Sequence, residues 1–444
     1  MHRQSVSLSM RMRMDWNYNG MLEFVRNWKN YIAAAVIGCL VRGIVYHFFP
    51  FVNPILEGIL VIWPLILIID GILHRQFHPD RIQWLLLGFL AAALISTVIN
   101  LDSLRSWEHG DPAESFRSLF YGLSAVLILY GFSSHRPETD AVPFLNRLFL
   151  VVWGYIVLLS AGSVVLFVLY RMGIDLPGGF GGASQIFTYG HMGEETRFCG
   201  LFGYSNAGGN LCALAAPLAY YLTEQKRIPA WLAAGSAVLL AYTIYLLDVR
   251  TSMVALLLCA VMIGWRILQK KAGTGKALVI GAVTLAVLAG VVGYLKQDTI
   301  LQYWAQYQED PKKTIIFLTT GRSEYWELAV QGFLTRPLLG YGWLNNTYIG
   351  FYFDNHNLFF NILLWTGAVG TILFFTAFIL LAAKVCRADM HHRYGLLLVL
   401  AAVFVQAMLD RAIMGTANAS AETMVFWLIC GMLVFGKTNA GKHS

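Results

Sequence analysis

The chain has 444 residues, 57% hydrophobic and only 13% charged, with a formal net charge of +7. Soluble domains carry about 25% charged residues, so no soluble core can hide this much apolar side chain and the bilayer must act as part of the solvent. The basic balance does not indicate nucleic acid, because no soluble basic domain is present to bind one; Lys and Arg gather instead in short loops between apolar runs.

Residues 1–30 read as a polar, basic cytoplasmic arm (Arg3, Arg11, Arg13, Arg26, Lys29) without a signal-peptide cleavage pattern, and Met10, Met12, Met14 and Met21 are alternative starts. A spanning helix needs about 20 mostly apolar residues. Runs of that kind predict spans at roughly 31–49, 54–73, 82–99, 116–132, 145–170, 207–223, 231–248, 251–268, 277–295, 357–383, 394–410 and 420–436. The expected fold class is therefore an all-α polytopic membrane protein of about 12 transmembrane helices. Its organisation is nine spans within 31–295, a large loop at 296–356, three spans within 357–436 and a tail at 437–444.

The connections alternate in charge. The arm, His74–Arg81, Ser133–Asp140, Glu224–Arg227, Gln269–Lys276, Lys384–Arg393 and the tail hold more than half of the 32 Lys and Arg, which assigns them to the cytoplasm. The remaining loops then face the periplasm or exterior. Two of these are long: 171–206, rich in glycine, and 296–356. Structureless loops longer than about 12–15 residues are uncommon. Within the second, 323–335 mixes charges with Trp326, Leu328, Ala329, Phe333 and Leu334, which predicts a helix lying at the membrane interface.

Four basic residues stand out on the outer side. Arg197 precedes Phe-Cys-Gly-Leu-Phe-Gly-Tyr-Ser-Asn, Arg250 sits in the minimal turn Asp248-Val-Arg-Thr-Ser, Arg322 opens the helix of the long loop, and His356 lies in Asp354-Asn-His-Asn before an apolar run. Each has a structural alternative: Arg197 on a lipid headgroup, Arg250 paired with Asp248, Arg322 as a solvated helix-end charge, His356 held by Asp354 or Asn357. Their collection at one rim favours function. Guanidinium forks match phosphate oxygens bidentately, and a histidine beside them is the natural general base at neutral pH. No Asp-x-Asp pair, Walker A loop, GxSxG or HExxH occurs, and the six cysteines show neither CxxC nor zinc spacing. The residues point to a metal-free, cofactor-free group transfer from a phosphate-linked donor.

In order, these residues are Arg197, Gly200 and Asn206; Arg250–Ser252; Gly321, Arg322, Trp326, Pro337, Leu338, Gly340 and Gly342; then His356, Asn357, Gly367 and Gly370. The pattern, concentrated in 190–385, resembles the O-antigen ligase family, whose superfamily also holds O-antigen polymerases and protein O-oligosaccharyltransferases. Two departures are visible: Trp365 stands where the family often has an acidic residue, and Val249-Arg-Thr replaces a Ser-Arg-Gly turn.

The resemblance implies a GT-C-like, metal-independent, inverting glycosyltransferase of the bacterial inner membrane with its site facing the periplasm. It implies transfer of O-antigen polysaccharide from undecaprenyl pyrophosphate to a lipid A–core sugar hydroxyl. His356 becomes the base, Arg197, Arg250 and Arg322 the pyrophosphate binders, and Asn206 and Asn357 further substrate contacts. The ligase is preferred because the chain is strongly basic and lacks the extra C-terminal domain expected of many protein-targeted transferases. The other readings are an O-antigen or exopolysaccharide polymerase, a protein glycosyltransferase, and, outside enzymes, a polysaccharide transporter. Against transport, the notable residues gather at one face and not at mid-membrane; Arg42 is the main exception.

Overall fold

The computed structural model describes residues 27–48, 53–75, 78–107, 110–134, 141–174, 187–189, 196–270, 273, 297–319, 321–350, 355–387, 393–409 and 421–435. Helices stand at eleven of the twelve expected span positions. They are α1 (Trp28–Phe48), α2 (Asn53–Leu73), α3 (Arg81–Ile99), α5 (Pro112–Ser134), α6 (Ala141–Arg171), α7 (Ser205–Glu224), α8 (Ala230–Leu247), α9 (Arg250–Lys270), α13 (Leu358–Arg387), α14 (Tyr394–Leu409) and α15 (Ala421–Phe435). The expected span at 277–295 lies outside the described residues, as does the side chain of Arg42. Between these run the short α4 (Leu101–Ser106) and, in the long loop, α10 (Gln297–Glu309), α11 (Pro311–Leu318) and α12 (Arg322–Thr335).

By length and composition, five of the helices (α3, α6, α8, α9 and α13) can cross a membrane; α1, α2, α14 and α15 include shorter apolar stretches. The outer surface agrees with a lipid environment. Leu73, Leu158, Trp231 and Val238 are each more than 70% exposed, an arrangement that water would penalise and lipid does not. The chain is a polytopic, overwhelmingly α-helical membrane protein.

Contacts between helix ends sort the connections into two groups. At the basic end, Lys384 pairs with Asp80 at 3.1 Å, the Gly395 amide donates to Glu224 Oε2 at 3.1 Å, and the Arg266 guanidinium lies 5.1 Å from the centre of the Tyr394 ring. Asp80 also caps α3 by a reciprocal exchange with Gln83. The opposite end holds Asn100, the Asp248–Val249 turn, His356 and the last residues of α14. This is the grouping that alternating spans require.

The Gly-rich segment 171–206, expected only as a loop, contains an antiparallel pair, β1 (Phe187–Tyr189) with β2 (Thr196–Phe198), followed by a 3-10 turn at Gly200–Phe202. Three-residue strands leave too short an alternation to stand out against the glycines. The helix expected at 323–335 is present as α12, and its buried residues Ala329 and Gly332 face α13. That face is covered by protein, so α12 is a packed element and not only a surface helix.

The long loop is locked to the bundle by a break in α13. Gly367 has φ 59° and ψ −160°, so the helix is interrupted there. The orphaned groups find partners in the segment after α12. Tyr341 N donates to Leu364 O and Gly342 N to Trp365 O, both at 2.9 Å; Ala368 N donates to Pro337 O at 2.7 Å and Val369 N to Leu338 O at 3.2 Å. Backbone meets backbone so closely that a Cβ on Gly340 falls 2.4 Å from Leu364 O, and one on Gly367 falls 2.5 Å from the Leu338 carbonyl carbon. The Pro-Leu-x-Gly-x-Gly and Thr-Gly-x-x-Gly motifs are two halves of one joint. Ser96 Oγ reinforces it by donating to Leu339 O and Trp365 O, and Trp343 packs against Phe89 and Trp365.

Candidate active site

The last carbonyls of a helix have no partner within it, and α14 supplies them to the site. Met408 O accepts from Asn357 Nδ2 at 2.8 Å, and Leu409 O accepts from Arg322 Nη1 at 2.6 Å. A cation here also complements the negative end of the helix dipole. One turn earlier, Gln406 Nε2 donates to the Asn210 carbonyl at 3.2 Å, while Asn210 Oδ1 accepts from Ser252 Oγ at 3.0 Å. Thus α12, the start of α13, α7 and the start of α9 converge on the end of α14. This ties Arg322 and Asn357 directly to the end of α14, and the turn carrying Arg250 to it through Ser252, Asn210 and Gln406.

Arg250 is fixed by its neighbours. Asp248 ends α8 in a left-handed conformation (φ 50°), and after Val249 the next helix begins. Val249 is buried against Gly209, where an added Cβ falls 2.7 Å from the Val249 Cβ. Thr251 and Ser252 are buried, whereas Arg250 itself is exposed. No ion pair joins it to Asp248 among the described residues, and the rigid turn presents the guanidinium at an exposed position.

His356 is half-buried with φ 48°, a left-handed conformation that is unusual for a residue with a Cβ. Its neighbours are clamped. Asn355 donates from its backbone N and from Nδ2 to Asn361 Oδ1, both at 2.9 Å, and its carbonyl accepts from Trp326 Nε1 at 2.9 Å. Trp326 in turn stacks on Phe360, 5.5 Å between centroids. Asn357 Oδ1 accepts from the amides of Phe359 and Phe360, capping α13. Asn357 therefore has both ends of its amide used within the protein, and its place in the site is to hold the loop as well as to border it. Asp354 lies outside the described residues.

The remaining expected residues are less tightly joined. Arg197 occupies the middle of β2, opposite Thr188, and its side chain lies outside what is described. Asn206 is half-buried in the first turn of α7, one turn before Asn210. Cys199, next to β2, is buried, and burial pushes its thiol up to about 11, away from reactivity. Trp365, standing where the family often has a carboxylate, donates from Nε1 to Asn346 Oδ1 at 2.8 Å; the position holds structure.

Sequence reasoning missed Asn210, Asn355, Asn361 and Gln406. The available signal was a polar amide inside or beside an apolar run, as with Gln406 after Leu-Leu-Val-Leu-Ala-Ala-Val-Phe-Val. It also missed Arg336, which donates to Asn100 Oδ1 and lies 4.5 Å from the centre of the Tyr341 ring.

Comparison with known families bears on the same elements. Residues 235–375 match the family model described as O-antigen ligase. The match supports an O-antigen ligase family assignment. The matched stretch contains Arg250, Arg322, His356, Asn357 and both halves of the Gly340–Gly367 joint; Arg197 and Asn206 precede it. No curated protein matches the chain significantly. The match suggests a glycosyltransferase-like membrane enzyme of the O-antigen ligase and polymerase superfamily, and it points to lipid-linked glycans as substrates.

Proposed function

We propose that this O-antigen ligase family member is an O-antigen ligase. It transfers O-antigen polysaccharide from undecaprenyl pyrophosphate to a sugar hydroxyl of lipid A–core, at the periplasmic face of a bacterial inner membrane. The observation that supports this reading is the convergence of Arg322, the His356 segment and the Arg250 turn on the last turn of α14. Fixed guanidinium charge near a residue able to take a proton is what such a transfer calls for.

In this reading His356 accepts the proton of the acceptor hydroxyl as its oxygen attacks the anomeric carbon. The new glycosidic bond forms while the bond from that carbon to the phosphate oxygen breaks. Inversion follows from a single displacement. The departing undecaprenyl pyrophosphate carries the electron pair as negative charge, which Arg250 and Arg322, joined by Arg197, stabilise. Such preorganised donors count most when the structure fixes them before charge develops, and the Val249–Gly209 seat does so for Arg250. Arginine remains charged at any working pH and so binds pyrophosphate without proton exchange.

The experiment is gene deletion followed by gel analysis of lipopolysaccharide and lipid-linked glycan. Loss of all long chains, with polymer accumulating on undecaprenyl pyrophosphate, is the expected result. Core carrying a single repeat identifies a polymerase and overturns the ligase assignment. Unchanged lipopolysaccharide, with a protein glycan lost instead, identifies a protein-directed transferase.

A further inference from the structure

We propose that Asn361 is a positioning residue for His356, acting through Asn355; the proposal rests on the reading of His356 as the base. His356 has a left-handed backbone (φ 48°), which is strained for a residue with a Cβ and persists only where the surroundings impose it. One oxygen holds the residue before it twice. Asn361 Oδ1 accepts both the backbone N–H and the side-chain Nδ2 of Asn355, each at 2.9 Å.

The two bonds fix the amide orientations. A main-chain N–H can only donate, so the Asn361 atom facing it is the oxygen. The Asn355 atom facing that same oxygen must then be its nitrogen. Asn361 sits within the first turns of α13 at 4% exposure, with its own N–H bonded to Asn357 O at 3.0 Å, so helix geometry fixes where the oxygen stands. Asn355 is fully buried, so water does not replace the acceptor. Loss of the oxygen strands two donors, and the cheapest relief is movement of residues 355–356. Helix-anchored Asn361, Asn355 and the Trp326 indole thus set where the imidazole stands, with no contact to substrate by Asn361 itself.

The test uses the full-length enzyme in detergent or vesicles, with purified lipid-linked glycan and lipid A–core, measuring kcat and KM separately. For Asn361→Leu, kcat should fall about 10- to 100-fold, as expected when a reacting group is displaced by about 1 Å, while donor and acceptor KM stay within about threefold. Asn361→Asp keeps the accepting oxygen and should recover most of that loss, a rescue that a general packing defect does not give. If the leucine variant fails to fold, Asn355→Ala serves instead: it keeps the backbone bond, removes the Nδ2 bond, and should lower kcat severalfold at unchanged KM. Wild-type kcat in a folded Asn361→Leu, or an Asn361→Asp as damaged as the leucine, overturns the proposal. His356→Ala, run alongside, separates the causes. If it is inactive while Asn361→Leu is normal, only the positioning role fails; if it retains activity, the base assignment itself fails.

Discussion

Arg250 and Arg322 carry the same charge but are held differently, and their substitutions should differ accordingly. Arg250 stands exposed on a turn seated by Val249 against Gly209, with no ion pair to Asp248 among the described residues. Arg322 spends one N–H on the Leu409 carbonyl, so its loss also uncaps α14. Arg250→Ala should lower kcat by about 100-fold or more, as for loss of one preorganised donor to a developing charge, with folding intact. Arg250→Lys keeps charge without the fork and should recover only part of it. Varying donor and acceptor separately checks the assignment: the defect should follow the donor, and one confined to acceptor KM shows that the cradle holds the phosphorylated acceptor. The arginines and His356 stand out as candidates in the sequence because charge next to apolar runs is costly and therefore informative. Asn355 and Asn361 were not. An amide near a helix start has many unremarkable uses, and only coordinates show that both Asn355 donors meet one oxygen.

At the scale of elements, the joint between the long loop and α13 is the feature most exposed to test. Gly367 combines φ 59° and ψ −160° with a would-be Cβ 2.5 Å from the Leu338 backbone. That backbone region is essentially reserved to glycine and costs of order 1–3 kcal/mol otherwise, and the clash adds to it. Gly367→Ala should therefore lower the thermal midpoint of the purified protein and its activity together, through misdocking of 337–342. Gly235, inside α8 with nothing within 4 Å of its Cβ position, is the control. There alanine gains helix propensity worth up to about 1 kcal/mol, and the midpoint should hold or rise. Equal effects at the two sites contradict the joint. Helix positions follow directly from apolar run length, and at the eleven described positions the boundaries agree within about four residues. The break at Gly367 was hidden because the run around it is apolar on both sides, and glycine inside an apolar helix is common. The 187–198 hairpin was hidden by its shortness.

For the whole molecule, the sidedness expected from charge is open to test with two native cysteines. Cys386 is exposed near the basic end of α13, whereas Cys199 is buried at the site end with its thiol pushed up to about 11. Because the thiolate is the reactive form, a group with that value is almost wholly unreactive at neutral pH, and its labelling should increase only as pH approaches 11. A membrane-impermeant maleimide added to spheroplasts should modify neither, and permeabilisation should expose Cys386 alone. Modification of Cys386 before permeabilisation reverses the topology and moves the candidate site to the cytoplasm. The most direct test of the central claim, that this rim is a glycosyl-transfer site with His356 as its base, is the single-turnover rate of purified, folded His356→Ala on lipid-linked glycan with lipid A–core. A fall of about 10²–10⁴-fold, the range for a positioned general base, is expected with donor binding preserved; a wild-type rate at neutral pH would contradict the role of His356 as base.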